Sequence, residues 1–174
     1  MHWKFELGSH AVSWVAWVTL VLAALCAGSC GWKAVAPRTV GPKQGKLRVL
    51  IATRRTEFKS RVVSRISEAV GRQNVTVDII DTRDLGKVSK ERYQVMVVVD
   101  EYRYWSLSGA VKRFVRDLGD ADKKKLILLS TAGSPKKMGT MPGVDAITCA
   151  STRKDVPAIS DRVLAKITKR LAPR

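Results

Sequence analysis

Residues 47–60, LRVLIATRRTEFKS, join an apolar run (Leu47–Ala52) to a segment in which Val62, Val63 and Ile66 recur at helical spacing. In an α/β chain such a strand-to-helix junction can do one kind of chemistry well. The first turn of the helix has N–H groups without intrahelical partners, and these can hold an anion, above all a phosphate. Thr53, Thr56 and Ser60 add hydroxyls, and Arg54, Arg55 and Lys59 add positive charge. The junction has no glycine, however; Glu57 would repel a phosphate and Phe58 offers it no hydrogen bond. Two readings stand: a phosphate site held by charge, or a solvated basic loop.

Two further stretches carry groups a ligand could use. Tyr102, Tyr104 and Trp105 follow the apolar run YQVMVVV (93–99) and precede a helical pattern. Their rings could stack on a planar ligand or simply pack the start of the helix. Asp100 and Glu101 precede them and could crowd a ring, or cap Arg103 and the next helix. Residues 130–134, STAGS, are small, and Thr131, Ala132 and Gly133 would let a ligand approach the backbone closely. Both histidines, His2 and His10, lie before residue 11, so a His-based triad or His-rich metal cluster beyond that point is excluded. There is no Walker-type glycine–lysine loop.

The elements that must position these groups alternate. Strands are expected at Leu47–Thr53, Val75–Ile80, Tyr93–Val99, Leu126–Thr131 and Val144–Ala150, and helices at Lys59–Arg72, Ser106–Leu118 and Ala158–Leu171. The third and fourth strands are nearly continuous apolar runs, as strands covered on both faces should be. This alternation predicts an α/β fold, a doubly wound parallel five-stranded sheet with helices on both faces. Ligands of such sheets sit outside the carboxyl ends of the strands, at the switch point in strand order. All three candidate loops lie at such ends. Residues 82–92 and 136–143 are too short or too broken for full crossover helices.

The order, spacing and loop character over residues 47–171 resemble the flavodoxin family. RVLIATRRTEFKSRVVSRI and YRYWSLSGAVKRFV are similar to the branch that includes the menaquinone-dependent protoporphyrinogen oxidases. The resemblance implies FMN. Its phosphate would be held by Thr53, Arg54, Arg55, Thr56, Lys59 and Ser60, and its ring would be flanked by Tyr102, Tyr104 and Trp105 and by Thr131, Ala132 and Gly133. The chain departs from the pattern where Thr56 fills a glycine position and Phe58 stands near an expected threonine. The resemblance is to a shortened version of the fold with a degenerate phosphate loop.

Residues 11–32 carry no charge over 22 positions, enough to cross a hydrocarbon layer of about 30 Å. Four of the five tryptophans lie in the first 32 residues, and Trp3 and Trp32 flank the run. Residues 1–32 are therefore expected to be a signal or membrane-anchor segment. They could be a retained transmembrane helix, a cleaved signal peptide, or a lipoprotein signal in which Cys30 carries lipid, since AGSC resembles the bacterial lipobox. Residues 33–46, with Pro37, Gly41, Pro42 and Gly45, read as a linker.

The chain holds 32 Lys+Arg against 15 Asp+Glu, a net +17. Four of those basic residues and one acidic residue precede position 46, which leaves 28 against 14, or +14, from there on. Such an excess concerns partners rather than fold. It favours an anionic lipid surface or an acidic protein, while no nucleic-acid module is recognisable. Cys149 ends an apolar stretch and is expected to be a buried thiol. The expectation is a membrane-associated flavodoxin-like protein, sited at a bacterial inner membrane or as a lipoprotein, with weakened or lost FMN binding and acting as a basic binding module. The alternative is an FMN-dependent electron-transfer protein or oxidoreductase working with a membrane quinone or a protein.

Overall fold

The computed structural model describes residues 34–104, 106–133 and 141–172. They belong to one compact unit, Lys33–Arg174. The anchor, the signal and lipidation readings, Cys30 and Trp105 lie outside the described residues. Among the described residues no helix is long and apolar enough to cross a membrane.

The strands are β1 (Arg38–Val40), β2 (Leu47–Thr53), β3 (Val75–Asp81), β4 (Val95–Glu101), β5 (Leu126–Ala132) and β6 (Asp145–Ala150). The helices are α1 (Glu57–Gly71), α2 (Gly109–Arg116), α3 (Asp120–Lys125) and α4 (Val156–Leu171), with 3-10 turns at Thr82–Lys87, Lys90–Arg92 and Arg153–Asp155. The sheet runs β1-β3-β2-β4-β5-β6, and every neighbouring pair from β3 to β6 is parallel.

The period of two in each strand sends alternate side chains to opposite faces. Val49 and Ile51 of β2 meet Val62 and Ile66 of α1 and Val163 of α4 on one face. Leu50 and Ala52 meet Val111 and Phe114 of α2 on the other. Both faces are thus covered, which is why β5 is buried along its whole length. The doubly wound expectation holds.

Three expectations need correction. The sheet has six strands among the described residues, not five, and one of them is antiparallel. That strand, β1, lies within the stretch read as a linker. Its reason is an open edge on β3: Arg38–Val40 pairs with Val77–Ile79, and the Thr39 hydroxyl donates to Asp78 at 2.8 Å. Gly41 turns the chain at φ 86°, and the Gly45 N–H donates to Thr76 Oγ1 at 3.1 Å. Upstream, the Val35 N–H reaches the Asp81 carboxylate at 3.0 Å. Second, α1 starts two residues before the expected Lys59, because Thr56 caps it, its Oγ1 accepting from the Lys59 N–H at 3.3 Å. Third, the helix expected over 106–118 is shorter, and α3 follows it separately. Ser106 is drawn into a tight bridge with Arg103 instead.

Candidate functional site

Parallel register carries the strand exits to one edge. Thr53 of β2 stands beside Val99 of β4, Glu101 of β4 beside Thr131 of β5, and Ala132 of β5 beside Ala150 of β6. The helix after β2 covers one face and the helix after β4 the other, so the order reverses between these two strands, where a doubly wound sheet opens its ligand crevice.

A cleft of about 290 Å³ opens along this edge. Thr56, Glu57, Phe58 and Lys59 of the α1 start line it, with Glu101, Arg103, Thr131, Ser151 and Arg153. Lys59 dominates its chemistry. It is the third residue of α1 and is only 1% exposed. Among the described residues its ammonium has no hydrogen-bond partner. The nearest carboxylate oxygen in an ion pair with it is Glu101 Oε2 at 3.8 Å, too far for a hydrogen bond. Burial pulls the Lys59 pKa below its ordinary value, with Arg54 and Arg103 pulling the same way and Glu101 and Asp100 opposing.

The surrounding charges are engaged with each other. Glu101 Oε1 takes Arg103 Nε at 2.7 Å. Glu57 binds Arg153 and, at 3.2 Å, Arg61. The Arg153 guanidinium, then Arg61, hold the Glu57 carboxyl below the usual range. Asp100 is buried and turned away to cap the next loop, accepting the Ser108 N–H at 2.8 Å. Thr131 is fully buried, and its hydroxyl donates to the Asp100 carbonyl at 3.4 Å.

Of the sequence-derived site residues, the cleft gathers Thr56, Lys59 and Thr131. Arg55 and Ser60 face a separate recess of about 390 Å³ beside Ala34–Ala36 and Arg38, which Thr53 also lines. Thr53 is buried and its hydroxyl donates to the Arg54 carbonyl. Arg54 is half-buried beside Lys59, whose charge it influences. Tyr102 packs half-buried against the α2-side core, and its N–H donates to the Thr131 carbonyl at 2.8 Å. Tyr104 sits at the tip of the Arg103–Ser106 turn at φ 47°, 95% exposed. Ala132 is buried, while Gly133 is exposed and a Cβ there would meet nothing within 4 Å among the described residues. Phe58 is 6% exposed in the α1/α4 core, which explains an aromatic residue where a polar one was expected.

Ser151 and Arg153 were not anticipated. The only signal for them was their position just beyond the last parallel strand. Among the described residues no group of three or more His, Cys, Asp or Glu could hold a metal.

No protein-family profile matches the chain, and no curated protein does. Among solved structures, the chain is similar to a flavodoxin from the domain Archaea, at 14% identity and TM-score 0.50, covering 72% of this chain and 100% of that one. It is similar to an apo NADH:FMN oxidoreductase at 12% identity and TM-score 0.50, covering 73% and 90%. It also matches a metal-soaked flavodiiron core from Synechocystis sp. PCC6803 at 11% identity and TM-score 0.51, covering 71% of this chain and 36% of that one. Likeness at this identity concerns the fold, which is flavodoxin-like.

Proposed function

We propose that this chain is a flavodoxin-fold binding module that engages an anionic membrane surface through its basic exterior and does not hold FMN as a resident cofactor. The observation that carries the reading is the closed start of α1. The Lys59 N–H, one of the amides a bound phosphate would need, is taken by Thr56 Oγ1. Glu57 puts a carboxylate in the same turn, clamped by Arg61 and Arg153, and Phe58 is spent on the core. The loop between β2 and α1 is only Arg54-Arg55-Thr56, without a glycine to form a nest of converging amides. The residues present do not fit a flavin phosphate held on backbone amides.

The partner follows from charge. The +14 from residue 46 onward is displayed on surfaces such as that of α2, where Lys112, Arg113 and Arg116 are exposed and the helix has no carboxylate. Each basic residue that reaches an anionic leaflet is worth about 1 kcal/mol. The apolar residues 11–32 support attachment to a membrane, with the basic domain retained beside it.

The test pairs two measurements on the full chain. Titration with FMN should leave flavin fluorescence unquenched at micromolar protein. Co-sedimentation should rise with the anionic lipid content of vesicles and fall with salt. Stoichiometric flavin binding would overturn the first half. Retention indifferent to both lipid charge and salt would overturn the second, and binding to an acidic protein in place of vesicles would redirect it.

A second reading is favoured by one observation. Tyr104 stands almost fully exposed at the carboxyl edge, in a backbone conformation that a tyrosine rarely adopts, where its ring is free to cover a ligand. On that reading the chain is an FMN-dependent electron carrier or oxidoreductase with a membrane quinone or protein partner, the flavin supplying the redox chemistry. Flavin binding that is lost on Tyr104→Ala would select it.

A further inference from the structure

The chain enters the domain at one particular edge. β1 runs antiparallel to β3, with Arg38 opposite Ile79 and Val40 opposite Val77. The residues before β1 therefore lie toward the carboxyl end of β3. There the Val35 N–H donates to the Asp81 carboxylate at 3.0 Å, and the Val35 side chain packs against the core. Ala34, Val35 and Ala36 line one recess with Thr53 and Arg55, at the exit of β2. The same rim carries the one large apolar side chain left open to solvent among the described residues. This is Tyr104, 95% exposed at the tip of the turn closed by Arg103 and Ser106. The strand it follows, β4, is two places from β3 in the sheet, about 10 Å across. Arg55, Arg83, Arg103 and Lys154 are exposed on this rim as well.

We propose that the carboxyl rim is the face this domain sets against an anionic leaflet, with Tyr104 as its interfacial contact and the chain entry at Val35 as the constraint that aims it. This rests on the membrane reading of residues 11–32. From Trp32 to Val35 the chain advances three residues, a reach of about 10 Å; from a lipid on Cys30 it advances five, about 17 Å. The opposite edge of the sheet lies the length of β3 away, seven residues or about 20 Å. Charge alone would turn that opposite edge to the leaflet, since Lys43, Lys46, Arg72 and Arg92 are exposed ahead of β2, β3 and β4. With that edge on the leaflet, however, Val35 would stand farther from the bilayer than either tether reaches. A tyrosine ring suits the headgroup level, where its face meets acyl carbon and its hydroxyl meets water. The exposed arginines around it add attraction to anionic headgroups.

The test reconstitutes the full chain in vesicles of phosphatidylcholine and phosphatidylglycerol that bear rhodamine-labelled headgroups. A fluorescent noncanonical residue is placed at Ser151, just past β6 on the rim, or at Gln73, just before β3 on the opposite edge; both positions are exposed. Energy transfer should place residue 151 nearer the headgroups than residue 73, by up to about 20 Å. Tyr104→Asp should lower the transfer from residue 151, because the leaflet repels a carboxylate. Aspartate accepts the positive φ of that turn, so the fold is kept. A chain that floats with the vesicles but gives equal transfer from the two positions, or more from residue 73, overturns the orientation and leaves the membrane reading standing. Unchanged transfer in Tyr104→Asp overturns the contact assigned to that ring. A chain that does not float with the vesicles ends both the orientation and the membrane reading.

Discussion

Replacing Lys59 with methionine should stabilise the protein at neutral pH, although it removes an ion pair. The attraction between Lys59 and Glu101 at 3.8 Å is about 4 kcal/mol at an effective dielectric of about 20. Taking a lysine ammonium out of water costs several kcal/mol, and hydrogen bonds normally offset that cost. Lys59 has none among the described residues. Glu101 loses little in the substitution, being 27% exposed and bonded to Arg103. Methionine keeps an unbranched apolar stem at this buried position and carries no charge to desolvate. A gain of about 1 kcal/mol at pH 7 is the expected balance. The pH dependence gives a sharper check. Burial lowers the folded-state pKa of Lys59 below its ordinary 10.5. Between those two values the unfolded chain binds more protons than the folded one, so wild-type stability rises with pH across that window. The penalty is fully present below the folded pKa and disappears above 10.5. Urea unfolding followed by circular dichroism at pH 7, 8.5 and 10 should therefore show the methionine variant ahead at pH 7 and the gap closing toward pH 10. A variant less stable by about 1 kcal/mol at pH 7, or a gap independent of pH, would refute the reasoning.

Phe58→Ala removes a ring that is 6% exposed in the core, and should cost about 3–5 kcal/mol in urea unfolding. Were Phe58 a ligand contact instead, stability would hardly change. Gly41→Ala should lose more than about 1 kcal/mol, read as a drop in Tm, because the backbone there has φ 86° and the new Cβ would lie 2.4 Å from the Val75 carbonyl oxygen. A true linker would tolerate that change. Cys149 is 5% exposed, and burial pushes its thiol up to about 11. Iodoacetamide at pH 8, with the modified peptides mapped by mass spectrometry, should label it only once urea unfolds the chain.

The chain's likeness to a solved flavodoxin and an FMN oxidoreductase lies in its architecture. A three-residue loop, a self-capped helix and a buried lysine occupy the edge where a doubly wound sheet offers its ligand crevice. Fold alone does not carry activity.

Much of the architecture was legible in the residues alone. Leu47–Thr53 is a nearly unbroken apolar run and apolar side chains recur near 3.6 in α1, since a strand covered on both faces and a helix covered on one have different local requirements. The unbroken apolar character of β4 and β5 announced a sheet covered on both faces. The gathering of exits at Thr53, Val99 and Thr131 followed from parallel pairing. What sequence could not decide were meetings between distant residues. β1 exists because β3 has an open edge, and no local pattern in Arg38–Val40 reveals that edge. Glu57 meets Arg153 across 96 positions, and Lys59 meets Glu101, because α1, β4 and the segment after β6 converge on one rim. Whether Lys59 lay in solvent or was buried depended on which carboxylate the folded sheet carried toward it. Charge and burial at a site belong to neighbours in space, and those are settled only when the chain closes on itself.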